Sequence, residues 1–163
     1  MLDIEKIKKK LYSKGVSYND KVGIETIRAF ELEFNLTLPQ ELVALYCEVC
    51  NGCTMLDGFK LKPIEEWKFD PNAIRNPFPF ENYWIWEDDY DEQKIAQTVY
   101  GNIELIDIGD AQSWNIIVSG SQKGQMWMFS DVGVQPCAPP KGILEWFEFW
   151  LDGKEDYFEG FKY

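Results

Sequence analysis

Residues 27–52, with the sequence IRAFELEFNLTLPQELVALYCEVCNG, contain the strongest helical pattern in the chain. Thr37 is a typical N-cap residue, and Pro39 suits the first turn of a helix, where its missing N–H costs nothing. Asn51 and Gly52 are typical of the left-handed residues that end a helix. The pattern predicts a helix that follows Thr37 and ends before Asn51. Four apolar side chains between these signals share one helical face: Leu42, Leu45, Tyr46 and Val49.

Helical periodicity also occurs towards both ends of the chain. Residues 1–12 and 24–34 alternate apolar and charged side chains at helical spacing, and Asn35 is a plausible end for the second segment. Residues 143–151 predict a closing helix that Gly153 ends. In the first segment the apolar side chains are Leu2, Ile4, Ile7 and Leu11.

The second half of the chain is rich in β-forming residues. Residues 103–108, which Gly109 and Asp110 end, and two further runs over 114–118 and 125–129 predict strands. The polar hexapeptide between the last two runs contains Gly120 and Gly124 and predicts a hairpin. Helices gathered at one end and consecutive strands afterwards predict α+β architecture.

Three segments of the middle of the chain have weaker signals. Residues 55–61 predict one more strand, and residues 93–100 fit either a strand or a short helix. Residues 70–80 contain three prolines and predict a long surface loop.

The charge of the chain is strongly negative. Its 163 residues, a length typical of one domain, include 16 Lys and Arg against 28 Asp and Glu, a net charge of −12. That charge repels phosphate backbones and anionic membranes, so we expect neither nucleic-acid nor membrane binding. It would speed encounter with a basic protein, although acidity that only aids solubility explains the charge equally well. The N-terminus lacks an apolar run of signal-peptide length, so we expect a cytoplasmic protein.

The sequence offers little for catalysis. It contains no histidine, which removes the commonest general base and the commonest metal ligand. The acids of residues 87–92 have no separate nucleophile beside them and do not follow the calcium-loop pattern. The glycines of residues 120–124 do not match a phosphate-binding loop. We therefore expect a protein that is not an enzyme and needs no cofactor.

The cysteines allow two interpretations. Cys47, Cys50 and Cys53 have the spacing C-x2-C-x2-C, and Cys137 lies far downstream. Thiolates at such spacings can converge on zinc or an iron–sulfur cluster. Two of the three fall inside the predicted helix, however, which favours buried thiols that behave as small hydrophobic side chains. We therefore expect no metal site.

Residues 81–92, ENYWIWEDDYDE, are the candidate for binding a partner, and we call them the acidic segment. They include six acids, four aromatic residues and no basic residue. Exposed acids would steer a basic partner into contact, and desolvated aromatic rings would anchor it. The alternative is that the two tryptophans are core residues of a strand. The predicted anchors are Tyr83, Trp84, Trp86 and Tyr90, and the predicted acidic contacts are Glu81, Asp88, Asp89, Asp91 and Glu92.

In their order and spacing, four landmarks resemble the SUKH superfamily, which comprises mostly bacterial immunity proteins and includes a fungal regulator of cell-wall synthesis. The first is the helix between Leu38-Pro39 and Asn51-Gly52, and the second is the strand end IDIGD at residues 106–110. The third is the hairpin IIVSGSQKGQMWMF at residues 116–129, and the fourth is the closing helix ILEWFEFWL. Residues 69–100 do not match the family pattern.

The resemblance implies a single α+β domain over residues 1–163, with helices packed on a predominantly antiparallel sheet. It implies an immunity protein that binds and neutralises a polymorphic or contact-dependent toxin, commonly a nuclease or a deaminase. One alternative is a regulatory scaffold that binds endogenous proteins, and another is an enzyme or metalloprotein built on the clustered cysteines. The family motifs imply structural and not catalytic roles for Leu38, Pro39, Asn51, Gly52, Gly109, Gly120, Gly124, Trp127 and Trp146.

The cysteine interpretation can be tested on purified protein. Protein prepared without chelator should contain no stoichiometric zinc or iron by elemental analysis, because two of the clustered thiols belong to a helix. Thiol titration in denaturant should find all four cysteines free. One equivalent of bound metal would contradict the buried-thiol interpretation.

Overall fold

The structure is a computed structural model that describes residues 3–161. The predicted helical position Leu2 and the ends of the predicted domain, residues 1–2 and 162–163, lie outside the described residues. The helices are α1 (Ile4–Ser13), α2 (Ile24–Phe34), α3 (Gln40–Ala44), α4 (Glu92–Ala96) and α5 (Ile143–Leu151). The strands are β1 (Cys53–Thr54), β2 (Lys60–Leu61), β3 (Trp84–Ile85), β4 (Asn102–Gly109), β5 (Gln112–Ile117), β6 (Met126–Phe129) and β7 (Gly133–Pro136). None of the helices in this part of the chain has the length and apolarity needed to cross a membrane.

An antiparallel sheet of five strands, in the order β3-β7-β6-β5-β4, forms the centre of the molecule. β1 and β2 form a separate antiparallel hairpin. The helices pack on the sheet, and α5 follows its last strand, so the predicted α+β domain with a closing helix is confirmed. The hairpin predicted over residues 119–124 is also confirmed, because it joins β5 to β6.

Both faces of the sheet are buried. Neighbouring residues on β5, Ile116 and Ile117, belong to two different hydrophobic clusters, as do Met126 and Trp127 on β6. Side chains on a strand alternate between the two faces, so each cluster covers one of them. The larger cluster, the helical-face cluster, contains side chains of α1, α2, α3 and α5. The smaller cluster, the second-face cluster, consists of Phe78, Phe80, Trp84, Ile117, Trp127 and Val134.

The two clusters correct the interpretation of residues 70–80 as a surface loop. Ile74 is buried in the helical-face cluster, and Phe78 and Phe80 are buried in the second-face cluster, although the segment has no regular secondary structure. The N–H of Phe78 donates to the carbonyl of Ser119 at 2.9 Å, which ties the segment to the β5–β6 hairpin. Gly120 permits this approach: its φ is +106°, and a Cβ there would lie 2.9 Å from the carbonyl oxygen of Phe78.

The helix that follows Leu38 begins and ends differently from the prediction. Pro39, not Thr37, occupies the N-cap position, and α3 begins at Gln40. The carboxylate of Glu31 accepts the N–H of Leu38 at 2.7 Å, so a side chain of α2 holds this junction. At its C-terminal end α3 continues as a π-helical turn over Leu45–Val49, and the backbone is extended at Cys50.

Asn51 and Gly52 therefore do not end a helix in the way the sequence predicts. The side-chain oxygen of Asn51 accepts the N–H of Ile64 at 2.8 Å, which fixes the chain that follows β2. Gly52 has a φ of +83°, and a Cβ there would lie 2.5 Å from the carbonyl oxygen of Leu61. Asn51 and Gly52 therefore allow the backbone at the end of the helix to lie close to β2 and the residues after it.

Of three further predictions, one is wrong in part, one open choice is resolved and one is confirmed. The strand predicted over residues 55–61 is the turn of the β1–β2 hairpin plus β2, because Asp57 and Gly58 reverse the chain. The open choice for residues 93–100 is resolved as α4 and a 3₁₀ turn. Gly109 ends β4 with a φ of +82°, in agreement with the predicted strand end.

The packing of α5 generates a stability prediction. Phe147 lies on α5 in the helical-face cluster and is fully buried, so Phe147→Ala should lower the free energy of unfolding by about 3–5 kcal/mol. Leu32→Ala is the control, because Leu32 is a highly exposed apolar residue of another helix. Urea denaturation measures both effects. An unchanged midpoint for Phe147→Ala would contradict the packing of α5.

Candidate protein-binding surface

The acidic segment lies at one edge of the sheet. Its strand β3 is the outermost in the strand order and pairs with β7, where Trp84 is opposite Val134 and Ile85 is opposite Gly133. A turn follows, in which the N–H of Asp88 donates to the carbonyl of Ile85 at 3.3 Å. α4 then begins at Glu92. The segment is thus supported by regular structure at both ends.

Trp84 is a core residue and not an exposed anchor. Its exposed fraction is only 8%, and its ring stacks on Phe80 with centroids 5.5 Å apart. The reason is strand alternation: at position 84 the side chain of β3 faces the second-face cluster. The ammonium of Lys94 lies 5.4 Å from the centroid of the same ring. The alternative that Trp84 belongs to a strand core is therefore correct.

Trp86 is only partly available for contact. It packs at the margin of the second-face cluster, with its ring centroid 5.3 Å from that of Trp84. Its indole N–H donates to the backbone carbonyl of Asp131 at 2.9 Å, and its own backbone N–H donates to the carbonyl of Val132 at 2.9 Å. Trp86 thus fastens the turn after β3 to the β6–β7 connection.

The tyrosines are the exposed aromatic residues of the acidic segment. Tyr90 is 71% exposed at the end of the turn before α4, and Tyr83 is 43% exposed. The ring of Tyr83 makes an edge contact with Phe161, with centroids 4.9 Å apart. Of the four predicted anchors, Tyr83 and Tyr90 are the two that are exposed, Trp86 is half-buried and Trp84 is buried.

The acids of the segment divide into structural and free groups. The carboxylate of Asp91 caps α4, because it accepts the backbone N–H groups of Gln93 at 3.0 Å and Lys94 at 3.1 Å. Glu81 accepts the hydroxyl of Ser121 at 3.1 Å, and Asp89 lies 3.8 Å from the ammonium of Lys94. Among the described residues, no cation lies within salt-bridge distance of three exposed acids: Glu87, Asp88 and Glu92.

This arrangement can attract a cationic surface and contact it. Glu87, Asp88, Glu92 and Tyr90 lie within a stretch of six residues, 87–92, that comprises the turn after β3 and the first residue of α4. A supported turn loses less conformational entropy on binding than a free loop does. Sequence reasoning missed the support from Asp131 and Val132, because these residues are distant in the sequence and act through their backbone carbonyls.

The cysteines lie elsewhere and are mostly buried. Cys50, Cys53 and Cys137 are buried and Cys47 is half-buried, and all four thiols are free. A hydrogen bond between Cys50 and Cys53 lowers the pKa of the first thiol and raises that of the second. Burial raises the pKa of Cys137 to about 12. Within residues 3–161, no three or more His, Cys, Asp or Glu side chains are grouped so as to hold a metal ion.

The division of the aromatic residues into core and surface generates a second stability prediction. Trp84→Ala should lower the free energy of unfolding by about 3–5 kcal/mol, because it empties a buried site under β3. Tyr90→Ala, the control in the same segment, should change it by less than about 0.5 kcal/mol. Chemical denaturation of both variants measures the difference. Equal stabilities would show that Trp84 contributes no core packing.

Comparison of the chain with models of protein families, with curated proteins and with solved structures finds no match. The exposed side chains of the acidic segment and the charge of the chain are then the features from which a function can be inferred.

Proposed function

We propose that this protein is an immunity protein, which binds a basic toxin domain and neutralises it by covering its active site or substrate groove. The observation that carries the proposal is the stretch of residues 87–92, which comprises the turn after β3 and the first residue of α4. Among the described residues, no cation lies within salt-bridge distance of its exposed carboxylates Glu87, Asp88 and Glu92, and Tyr90 stands exposed between them. The resemblance to the SUKH superfamily supports the same function, and it favours a nuclease or a deaminase as the toxin.

The charge of the chain suits a partner that normally binds nucleic acid. A nuclease groove that attracts phosphates is basic, and a protein with a net charge of −12 competes for it electrostatically. The carboxylates of Glu87, Asp88 and Glu92 would take the places of phosphate groups. Their main effect would be on the association rate, since exposed charges steer encounter more than they hold a complex together.

Tyr90 would supply the anchor that slows dissociation. A tyrosine that becomes desolvated at the centre of an interface can carry 2 kcal/mol or more of binding free energy. Tyr83 lies seven positions earlier in the same segment and offers a second, partly covered ring. The buried Trp84 contributes indirectly, because it holds β3 against the core.

A growth assay tests the function. If a gene beside that of this protein encodes a large secreted protein with a variable C-terminal domain, that domain is expressed alone and together with this chain. The toxin domain alone should stop growth, and this protein should restore it and co-purify with the toxin. No rescue, or no such neighbouring gene, would contradict the immunity function and favour a regulatory scaffold.

Charge reversal tests the surface. Glu87, Asp88 and Glu92 are changed together to Lys, while Asp91 stays because it caps α4. At low ionic strength the association rate with the toxin domain should fall by about 10-fold or more, and the difference should shrink as salt is added. The matched control changes three exposed acids outside the segment to Lys, namely Asp20, Glu33 and Glu48.

The control has the same change in net charge, so it separates local contact from the overall field. Stopped-flow or surface plasmon resonance measurements give the association rates of both triple variants. They also give the dissociation rate of a third variant, Tyr90→Ala, which should rise by about 30-fold, the equivalent of about 2 kcal/mol. Equal association rates for the two triple variants would show that the interface lies elsewhere on the molecule. The immunity function would then stand on the growth assay alone.

A further inference from the structure

Two of the clustered cysteines, Cys50 and Cys53, are in contact where the end of the helix meets the β1–β2 hairpin. Cys50 directly follows the π-helical turn, and its backbone N–H donates to the carbonyl of Leu45 at 3.0 Å. Cys53 is the first residue of β1 and pairs with Leu61 of β2. Gly52, with its φ of +83°, turns the chain between the two cysteines, and both side chains belong to the helical-face cluster.

The two thiols form a hydrogen-bonded pair. The sulfur of Cys50 accepts the S–H of Cys53 and also the backbone N–H of Gly52. The hydrogen bond from Cys53 lowers the pKa of Cys50, whereas the same hydrogen bond and burial raise the pKa of Cys53. Cys50 is thus the thiol that ionises first, and a protonated thiol lies beside it. A thiolate next to a second thiol is the arrangement from which a disulfide forms on oxidation.

The other two cysteines differ from this pair. Burial raises the pKa of both Cys47 and Cys137. Cys47 is nevertheless the most accessible of the four thiols, because it is half-buried and the other three are buried. Exposure alone therefore predicts that an oxidant attacks Cys47 first, whereas the contact between two thiols predicts that Cys50 and Cys53 react together.

A groove with polar side chains gives a small oxidant a way to the pair. The groove has a volume of about 330 Å³, and Cys53 and Thr54 of β1 line it together with Asn19, Lys60 and Glu65. β1 and β2 pair through only two residues each, and such a short hairpin opens locally at little cost. A molecule of the size and polarity of hydrogen peroxide can enter the groove, and opening of β1 then exposes both sulfurs.

We propose that Cys50 and Cys53 are a redox site, which hydrogen peroxide converts to a disulfide and a thiol reductant restores. The thiolate of Cys50 attacks one oxygen of the peroxide, and the O–O bond breaks. The leaving hydroxide takes up a proton and becomes water, while Cys50 becomes a sulfenic acid. The sulfur of Cys53 then attacks the sulfur of Cys50, the S–O bond breaks, and the leaving hydroxide takes the proton of Cys53 as the second water.

The two thiols are thus oxidised to one disulfide, and one peroxide is reduced to two waters. The disulfide would join the end of the helix covalently to β1. In the reduced protein hydrogen bonds through Asn19 hold the same junction: its carbonyl accepts the N–H of Asn51 at 3.2 Å, and its N–H donates to the carbonyl of Gly52 at 3.1 Å. This redox site does not rest on the proposed immunity function.

Peptide mapping of the unaltered chain tests the proposal. The reduced protein is treated at neutral pH with a dose of hydrogen peroxide that oxidises the thiols of the urea-denatured chain. After catalase has removed the peroxide, free thiols are blocked with N-ethylmaleimide in urea, and the peptides are analysed by mass spectrometry. The peptide with Cys50 and Cys53 should lose two hydrogen atoms and carry no label on either residue, whereas Cys47 and Cys137 should be labelled. Dithiothreitol should restore both thiols.

Serine variants assign the disulfide to its two partners. Cys50→Ser and Cys53→Ser each remove one partner, so neither variant should form a disulfide at the same dose. Cys47→Ser and Cys137→Ser are the matched controls, because each also removes one thiol of the four, and both should still form the disulfide.

Four outcomes contradict the redox site. Preferential loss of the Cys47 thiol, a disulfide that includes Cys47 or Cys137, or a pair that stays reduced at this dose would each overturn the proposal. So would a loss of the two thiols that dithiothreitol does not reverse, because it indicates sulfinic acid instead of a disulfide. If a serine variant does not fold, the peptide map of the unaltered protein decides the question alone.

Discussion

The two buried faces of the β5–β6 hairpin are the constraint on which the rest of the structure depends. Ile116 and Ile117 are both fully buried, as are Met126 and Trp127, although members of each pair point to opposite sides of the sheet. Helices α1, α2, α3 and α5 cover one side. The other side needs a second apolar layer, and residues 78–84 supply it. Burial of the central hairpin therefore determines the place of a segment that has almost no regular structure.

That constraint explains which parts of the structure the sequence predicts. The bounds of α2 and α5 follow from local periodicity, and the β5–β6 turn follows from two glycines, so neighbouring residues contain the necessary information. The burial of Phe78 depends on Gly120, which is far away in the sequence, and the prolines beside Phe78 indicate a loop. Trp84 lies on a strand of only two residues, too short to show alternation. Contacts with distant residues, which local patterns do not contain, decide both positions.

The burial of both faces of the sheet also determines which side chains of the acidic segment are exposed. Because the second face of the sheet takes up Trp84 and part of Trp86, the segment keeps its acids and its tyrosines on the surface. The predicted acidic contacts included Asp91, which caps α4, and left out the exposed Glu87, and the predicted aromatic anchors included the buried Trp84. A surface with several unpaired carboxylates and few exposed rings favours fast association over slow dissociation. Affinity for a partner would then depend strongly on ionic strength.

The aromatic residues of the chain mainly stabilise the fold by packing against one another. Ring contacts join α2 to the segment after β2 through Phe30 and Trp67, and they join β6 to the segment before β3 through Trp127 and Phe78. A buried tryptophan fills a large volume but also buries an indole N–H group. Around Trp67 and Trp127 the neighbouring side chains match the shape of the ring. Unpaired indole donors are therefore a side effect of building a small core from large rings.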